Sequence, residues 1–186
     1  MPTSSQTTAY LGLGSNLGER EANMAAAIAE IERIPGTEVL RQSQVYESKP
    51  WGKTDQPDFL NMVVEVTTRL EPHQLMRHLQ HIEKELGRDR ESEEQWGPRT
   101  IDIDLLLFGD RTLRTASLQV PHPRMWERHF VLKPLSELAP QMVSPEGIAI
   151  TELLRESKIR EQGLLPHGTE RPELAGSREP NDRAGS

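Results

Sequence analysis

Asp102 and Asp104 stand two residues apart within Trp96-Gly97-Pro98-Arg99-Thr100-Ile101-Asp102-Ile103-Asp104-Leu105-Leu106-Leu107-Phe108-Gly109. The alternation reads as a β-strand approached through a Gly-Pro turn and closed by Gly109-Asp110. Side chains two apart on a strand share a face, so the two carboxylates point the same way, roughly 6–7 Å apart at Cα. Ile101, Ile103, Leu105 and Leu107 take the other face. Adjacent carboxylates repel unless a cation or a proton separates them. Solvated acids on a polar edge strand are the plainer explanation, and the expected burial of Leu106 and Phe108 further along the same face opposes it. An oxygen-only donor pair with no cysteine nearby favours a hard cation, magnesium or manganese.

Other residues could serve the same site. Arg88, Arg90, Arg99, Arg124 and Arg128 fall in one stretch around the acids and make a local basic pocket possible. His122 lies between Pro121 and Pro123, and both a phosphate contact and a structural turn fit it. Gly12-Leu13-Gly14-Ser15-Asn16-Leu17-Gly18 fails the dinucleotide spacing, because Leu17 occupies the third glycine position. It reads instead as a tight turn with close backbone approach, in which Asn16 caps a helix or meets a ligand. Gly52-Lys53-Thr54 imitates the end of a P-loop, but Glu47 replaces its first glycine and Pro57 blocks the helix that must follow. His78 and His81 read as solvated helix surface. Of eight aromatic residues, Trp51, Phe59, Trp96 and Phe130 lie in or near polar loops, where flat faces suit a planar heterocycle or a purine.

Length and composition bound the setting. The chain of 186 residues fits one domain with a core of its own, and without cysteine it has neither disulfides nor a thiolate zinc site. No apolar run reaches the length of a membrane span, and the N-terminus is too polar for a signal peptide, so a soluble cytoplasmic protein is expected. Lys and Arg number 22 against 29 Asp and Glu, a net charge of −7. That balance argues against nucleic-acid binding through a broad basic surface.

The elements that must position these residues follow in order. A strand over 8–13 leads to a helix near 19–34, with Met24, Ile28 and Ile31 at helical spacing. Strands follow at 39–47 and 60–68, with a long loop, 48–58, between them. Pro72 to Leu86 has the clearest helical stripe, in Leu75, Leu79, Ile82 and Leu86, and Gly87 ends it. After the acid strand come a short strand at 118–120, a helix near 124–132 and a last one at 150–156. The expected domain is 8–156, with residues 1–7 flexible and 157–186 a disordered tail lacking apolar surface to dock it. The order β-α-β-β-α-β predicts an α+β fold of ferredoxin-like split βαβ type, a mainly antiparallel sheet with helices on one face.

With these motifs in place, the chain from about Ala9 to Pro140 resembles the 6-hydroxymethyl-7,8-dihydropterin pyrophosphokinases of folate biosynthesis. The resemblance is carried by Gly14-Ser15-Asn16-Leu17-Gly18, by Asp55-Gln56-Pro57-Asp58-Phe59-Leu60-Asn61, by the Trp96 to Asp104 run, and by Val120-Pro121-His122-Pro123-Arg124 with Glu127-Arg128. It implies transfer of pyrophosphate from ATP to the pterin hydroxymethyl group with release of AMP. It further implies that Asp102 and Asp104 hold two magnesium ions and form the catalytic set with Arg88 and Arg99. Gln80, Glu83, Arg88, Trp96, Arg99, Leu105, His122 and Arg128 would meet ATP. Asn61 would bond the pterin edge, Phe59 and Phe130 would stack on its faces, and Ser48, Lys49 and Trp51 would complete the pocket. Phe59 replaces a tyrosine of some relatives. Glu91, Glu93 and Glu94 occupy a loop where some carry a lysine, and Ser117 stands where some have an arginine. No side-chain base is needed, since positioning and charge neutralisation carry most of such a transfer. The expected partners are small molecules only, on a monomer, with no nucleic acid and no membrane. A nucleotidyltransferase also uses a Gly-Ser turn with an Asp-x-Asp strand, but there the turn lies close before the acids. An RNA-binding module on this topology needs basic-aromatic sheet motifs, which the strands lack.

Overall fold

The computed structural model describes residues 5–50, 55–87, 100–156 and 165–168. Strand β1 (Thr7–Ser15) is the centre of the sheet, flanked antiparallel by β4 (Phe59–Thr68) and β5 (Asp102–Phe108). On the far side of β4 lie β2 (Thr37–Gln42) and β3 (Tyr46–Ser48), also antiparallel. Helix α1 (Arg20–Glu32) connects β1 to β2 across β4, and α2 (Pro72–Glu85) connects β4 to β5 across β1. These two crossovers are the split βαβ arrangement that the element order predicts.

Sequence patterning accounts for the layers. Ala9, Leu11 and Leu13, alternate residues of β1, bury against Met24, Ala27 and Ile31 of α1 and Leu75, Leu79 and Ile82 of α2. Helix α2 starts where Glu71 and Gln74 satisfy each other's backbone N–H and Pro72 occupies the first turn, and Gly87, at φ +96°, follows its end. The other face is covered too, contrary to the expectation of helices on one side. There α3 (His129–Leu138) lays Val131, Leu132 and Leu135 on Val63 of β4 and Leu106 and Leu107 of β5, and α4 (Ile150–Glu156) packs on α3. The expected 124–132 helix is in fact a 3₁₀ turn at Met125–Glu127 followed by α3. Arg41 ties this layer to the sheet, donating to Glu65 at 2.6 Å and to the Leu138 carbonyl at 2.7 Å, and the Tyr46 hydroxyl bonds Glu137. Burial, reinforced by that carboxylate, raises the Tyr46 pKa well above the ordinary phenol value.

Three local differences have physical causes. The strand expected at 39–47 breaks at Ser43, whose N–H donates to Val63 O and whose hydroxyl accepts the Val63 N–H, so a side chain replaces part of the ladder. In β5 the register against β1 shifts between Tyr10 and Leu11. That irregularity reverses the expected faces of the last two residues: Leu107 joins Leu106 under α3, and Phe108 joins Ile103 and Leu105 under the helices. Within the tail expected to be disordered, Leu165–Pro166 (β8) pairs with β3, after a small hairpin of β6 (Leu113–Arg114) and β7 (Gln119–Val120) earlier in the chain. No helix among the described residues is long and apolar enough to cross a membrane.

Candidate active site

Gly12 and Gly14 floor a cavity of about 340 Å³ on the α3 side of the sheet. Their register explains why no side chain stands there. Gly12 pairs with Asp104 and Gly14 with Asp102 on one flank, and Gly14 pairs with Asn61 on the other. A Cβ on Gly14 would meet Asn61 Oδ1 at 3.4 Å, and one on Gly12 would meet Leu106 at 3.4 Å. The glycine run is therefore not the tight turn expected there, since β1 continues through Ser15. Gly12 and Gly14 form a floor within the strand that brings two neighbouring strands' side chains to one space, with the close backbone approach read from the sequence.

The β3–β4 wall carries Ser48, Lys49, Phe59 and Asn61. Asn61 is 6% exposed and donates from Nδ2 to Ser48 Oγ at 2.6 Å, across the register that sets Ser48 opposite Phe59. Asn16, 1% exposed, neither caps α1 nor enters the cavity. Its Nδ2 donates to Gln56 Oε1 at 2.8 Å and to the Pro57 carbonyl at 3.0 Å, holding the segment that leads into Phe59. Arg20 donates to the Asp58 carbonyl at 2.9 Å beside it.

The β5 wall carries Asp102 and Asp104, both half-buried with their side chains on the cavity. Ser15 Oγ donates to the Thr100 carbonyl at 2.6 Å, just before the acids, and the buried Glu83 carboxylate accepts the Ile103 N–H, between them, at 2.8 Å. Arg124, Glu127, Arg128, Phe130 and Val131 close the remaining side, with the Arg128 guanidinium 5.6 Å from the Phe130 ring centroid. His122 follows a cis Val120–Pro121 bond and donates its N–H to Leu106 O at 2.8 Å. Its Nδ1 accepts the Arg124 N–H at 3.2 Å, so the remaining ring proton of the neutral form sits on Nε2. Desolvation and the Arg128 charge lower its pKa to about 4, with Arg124 adding to them and Asp102 opposing. The ring is neutral at pH 7.

Eight of the expected site residues thus line one cavity: Ser48, Lys49, Phe59, Asn61, Asp102, Asp104, Arg128 and Phe130. Leu105 does not join them, because strand alternation turns its side chain into the α1–α2 core. Glu83 acts on the acid strand from beneath, and neither Gln80 nor His122 lines the cavity. Trp51, Arg88, Trp96 and Arg99 lie outside the described residues. Ser15 and Arg20, which help lock the two walls, had no assigned role from pattern alone, and Asn16, read as a helix cap or a ligand contact, holds Gln56 and Pro57 instead; only the fold shows which group each side chain reaches. Glu127 is a further lining residue, signalled only by its place beside Arg128.

The donor set suits a divalent cation in one specific way. Among the described residues no group of three or more His, Cys, Asp or Glu forms, so the protein offers the two carboxylates and leaves most ligand positions to phosphate and water. Magnesium is commonly held that way.

Residues 10–140 match the family of 7,8-dihydro-6-hydroxymethylpterin-pyrophosphokinase (HPPK). The 2-amino-4-hydroxy-6-hydroxymethyldihydropteridine pyrophosphokinase of Bacillus subtilis is 48% identical over 144 residues, covering 77% of this chain and 85% of its own. Its counterpart in Pseudomonas aeruginosa is 46% identical over 145 residues, covering 78% and 88%. The wild-type Plasmodium falciparum HPPK-DHPS structure with pterin and p-hydroxybenzoate superposes with a TM-score of 0.63 at 15% identity, over 87% of this chain and 45% of that one. That likeness concerns the fold, and this chain spans less than half of the solved chain. Taken with a family match that spans every residue lining the cavity, the relatives place the sequence: the chain belongs to the HPPK family.

Proposed function

We propose that this chain transfers pyrophosphate from ATP to the hydroxymethyl group of 6-hydroxymethyl-7,8-dihydropterin, releasing AMP, as a step of folate biosynthesis. The pterin hydroxyl oxygen bonds to the β-phosphorus, the bond from that phosphorus to the α-phosphate oxygen breaks, and the hydroxyl proton passes to solvent. One observation carries this reading: a carboxylate pair and an amide-plus-aromatic pocket share a single cavity over a glycine floor.

Phe59 and Phe130 stack on the pterin, and Asn61, preset by Ser48, bonds its edge. Ser48 and Lys49, with Trp51, complete that pocket. Arg128 neutralises phosphate charge, together with Arg88 and Arg99, and His122 offers the Nε2 proton to a phosphate oxygen. Gln80, Glu83, Trp96 and Leu105 belong to the nucleotide side. For Leu105 the contact comes through its main chain, since the side chain is committed to the core. Asp102 and Asp104 would hold two magnesium ions, which when bound would supply charge neutralisation for the triphosphate and a lower pKa for the attacking hydroxyl. The catalytic unit covers residues 8–156 and works as a cytoplasmic monomer.

Incubation with ATP, magnesium and the pterin alcohol, followed by chromatography, tests the reading. AMP and the diphosphorylated pterin are expected. Release of inorganic diphosphate with a nucleotidylated product would instead identify a nucleotidyltransferase.

A further inference from the structure

Four residues far beyond the family-matched region are docked on the pterin wall. Leu165–Pro166 extends the sheet past β3, with Glu47 opposite Leu165 and Tyr46 opposite Pro166, and the His167 N–H donates to the Val45 carbonyl at 2.8 Å. The His167 ring sits between two acids, its Nε2 bonded to Glu21 of α1 and its Nδ1 3.6 Å from Glu47 of β3. The second is an ion-pair distance rather than a hydrogen bond. Glu47 also faces Arg20 at 3.3 Å, the same Arg20 that holds the Asp58 carbonyl.

The placement matters because β3 is only three residues long and pairs with β4 along one side. So short an edge strand makes few ladder bonds and stays in register only where something holds it. β8 supplies that second side, and Pro166, lacking an N–H, leaves an edge poorly suited to further strand addition. From β3 the path to the cavity is direct: Glu47 precedes Ser48, Ser48 accepts the Asn61 bond, and Asp58 precedes Phe59.

We infer that residues 165–168 form a clasp that keeps β3 in register and so positions Ser48, Asn61 and Phe59 for the pterin, with His167 as its positioning residue. The inference rests on the pterin-pocket reading above. A clasp of this kind acts on one substrate and not on the other, because it grips Val45, Tyr46, Glu47 and Glu21, whereas the acid strand β5 is anchored by Ser15 and Glu83.

The test uses the full chain with His167→Glu, which sets a third carboxylate between Glu21 and Glu47, and His167→Gln, which keeps a donor. In His167→Glu, amide exchange over 45–48 accelerates and the pterin KM rises about three- to ten-fold, as expected when a pocket is formed only part of the time. The ATP KM stays at the wild-type value, and His167→Gln stays near wild type. An unchanged pterin KM, unchanged exchange over 45–48, or an equal rise in the ATP KM overturns the clasp. Calorimetric titration of the pterin alcohol with an inert ATP analogue reads the same difference without turnover. Absence of AMP from the wild-type chain counts only against the proposed reaction.

Discussion

The two walls of the cavity are secured by different means. On the β3–β4 wall the groups proposed to face the pterin are themselves hydrogen-bonded to each other, Asn61 to Ser48, and the segment behind them is held by Asn16 and Arg20. On the β5 wall the anchors grip main chain: Ser15 takes the Thr100 carbonyl and Glu83 the Ile103 N–H, on either side of Asp102. A planar heterocycle is recognised by shape and by a few fixed polar atoms, so its wall fixes side-chain atoms. Two neighbouring carboxylates must be held close together against repulsion, and main-chain anchors on either side of Asp102 fix the strand that carries them.

The largest effect is expected on the charged wall. Asp102→Asn and Asp104→Asn should each lower turnover about 100- to 1,000-fold at saturating magnesium, the usual scale for losing a charge-stabilising contact in a transition state. Neither should lose thermal stability, since each relieves repulsion between the pair; steady-state kinetics and a melting curve check both. Full turnover in either variant would remove the cation role from that residue.

On the other wall, Phe59→Ala and Phe130→Ala should weaken pterin binding about ten- to a hundred-fold, because stacking on an aromatic ring contributes roughly 1–3 kcal/mol. Competition binding with ATP as control measures it. Equal losses for both ligands would mean that the walls do not divide the substrates as described.

Gly14→Ala probes the floor between them. Its Cβ would stand in van der Waals contact with Asn61 Oδ1, at 3.4 Å, and add a methyl to the cavity floor, so a pterin affinity about three- to ten-fold weaker is expected from roughly 1 kcal/mol of crowding. Wild-type pterin affinity in the variant would contradict this.

The smallest effect concerns pH. His122 titrates near 6.5 when unfolded and at about 4 in the free fold, so it contributes no pH dependence above 6.5. Below that, the unfolded chain binds the proton first, and stability falls as the pH drops through the window from 6.5 to 4. His122→Gln should flatten that part of the stability curve, and NMR titration of the ring should show a depressed midpoint that phosphate binding raises. A free-protein midpoint near 6.5 would show that the ring is not desolvated by its surroundings.

Much of this was legible from residue order. Alternation in β1 and β5 assigned the acid pair to one face, and the spacing of Leu75, Leu79 and Ile82 with Gly87 behind them marked α2 almost to the residue. The last helix, 150–156, agrees with Ile150–Glu156. The failures cluster where a non-local contact overrides a local pattern. Ser43 breaks a strand because its hydroxyl can replace a ladder bond to Val63, a residue 20 positions away. The faces of Leu107 and Phe108 reverse because pairing with β1 shifts register, which no alternation within β5 reveals. Asn16 has the right type for a helix cap, yet the loop at 56–57 claims it.

Sequence by itself determined the carboxylate pair, the aromatic candidates and the order of elements, because period-two and period-3.6 patterns are local consequences of backbone geometry. Tertiary structure alone decided that Gly14 lies between Asp102 and Asn61, that Ser15 and Glu83 grip the acid strand, and that His167 reaches β3 from more than a hundred residues away. Those contacts depend on which strands become neighbours, and neighbours are chosen by how the whole chain buries its apolar faces at once.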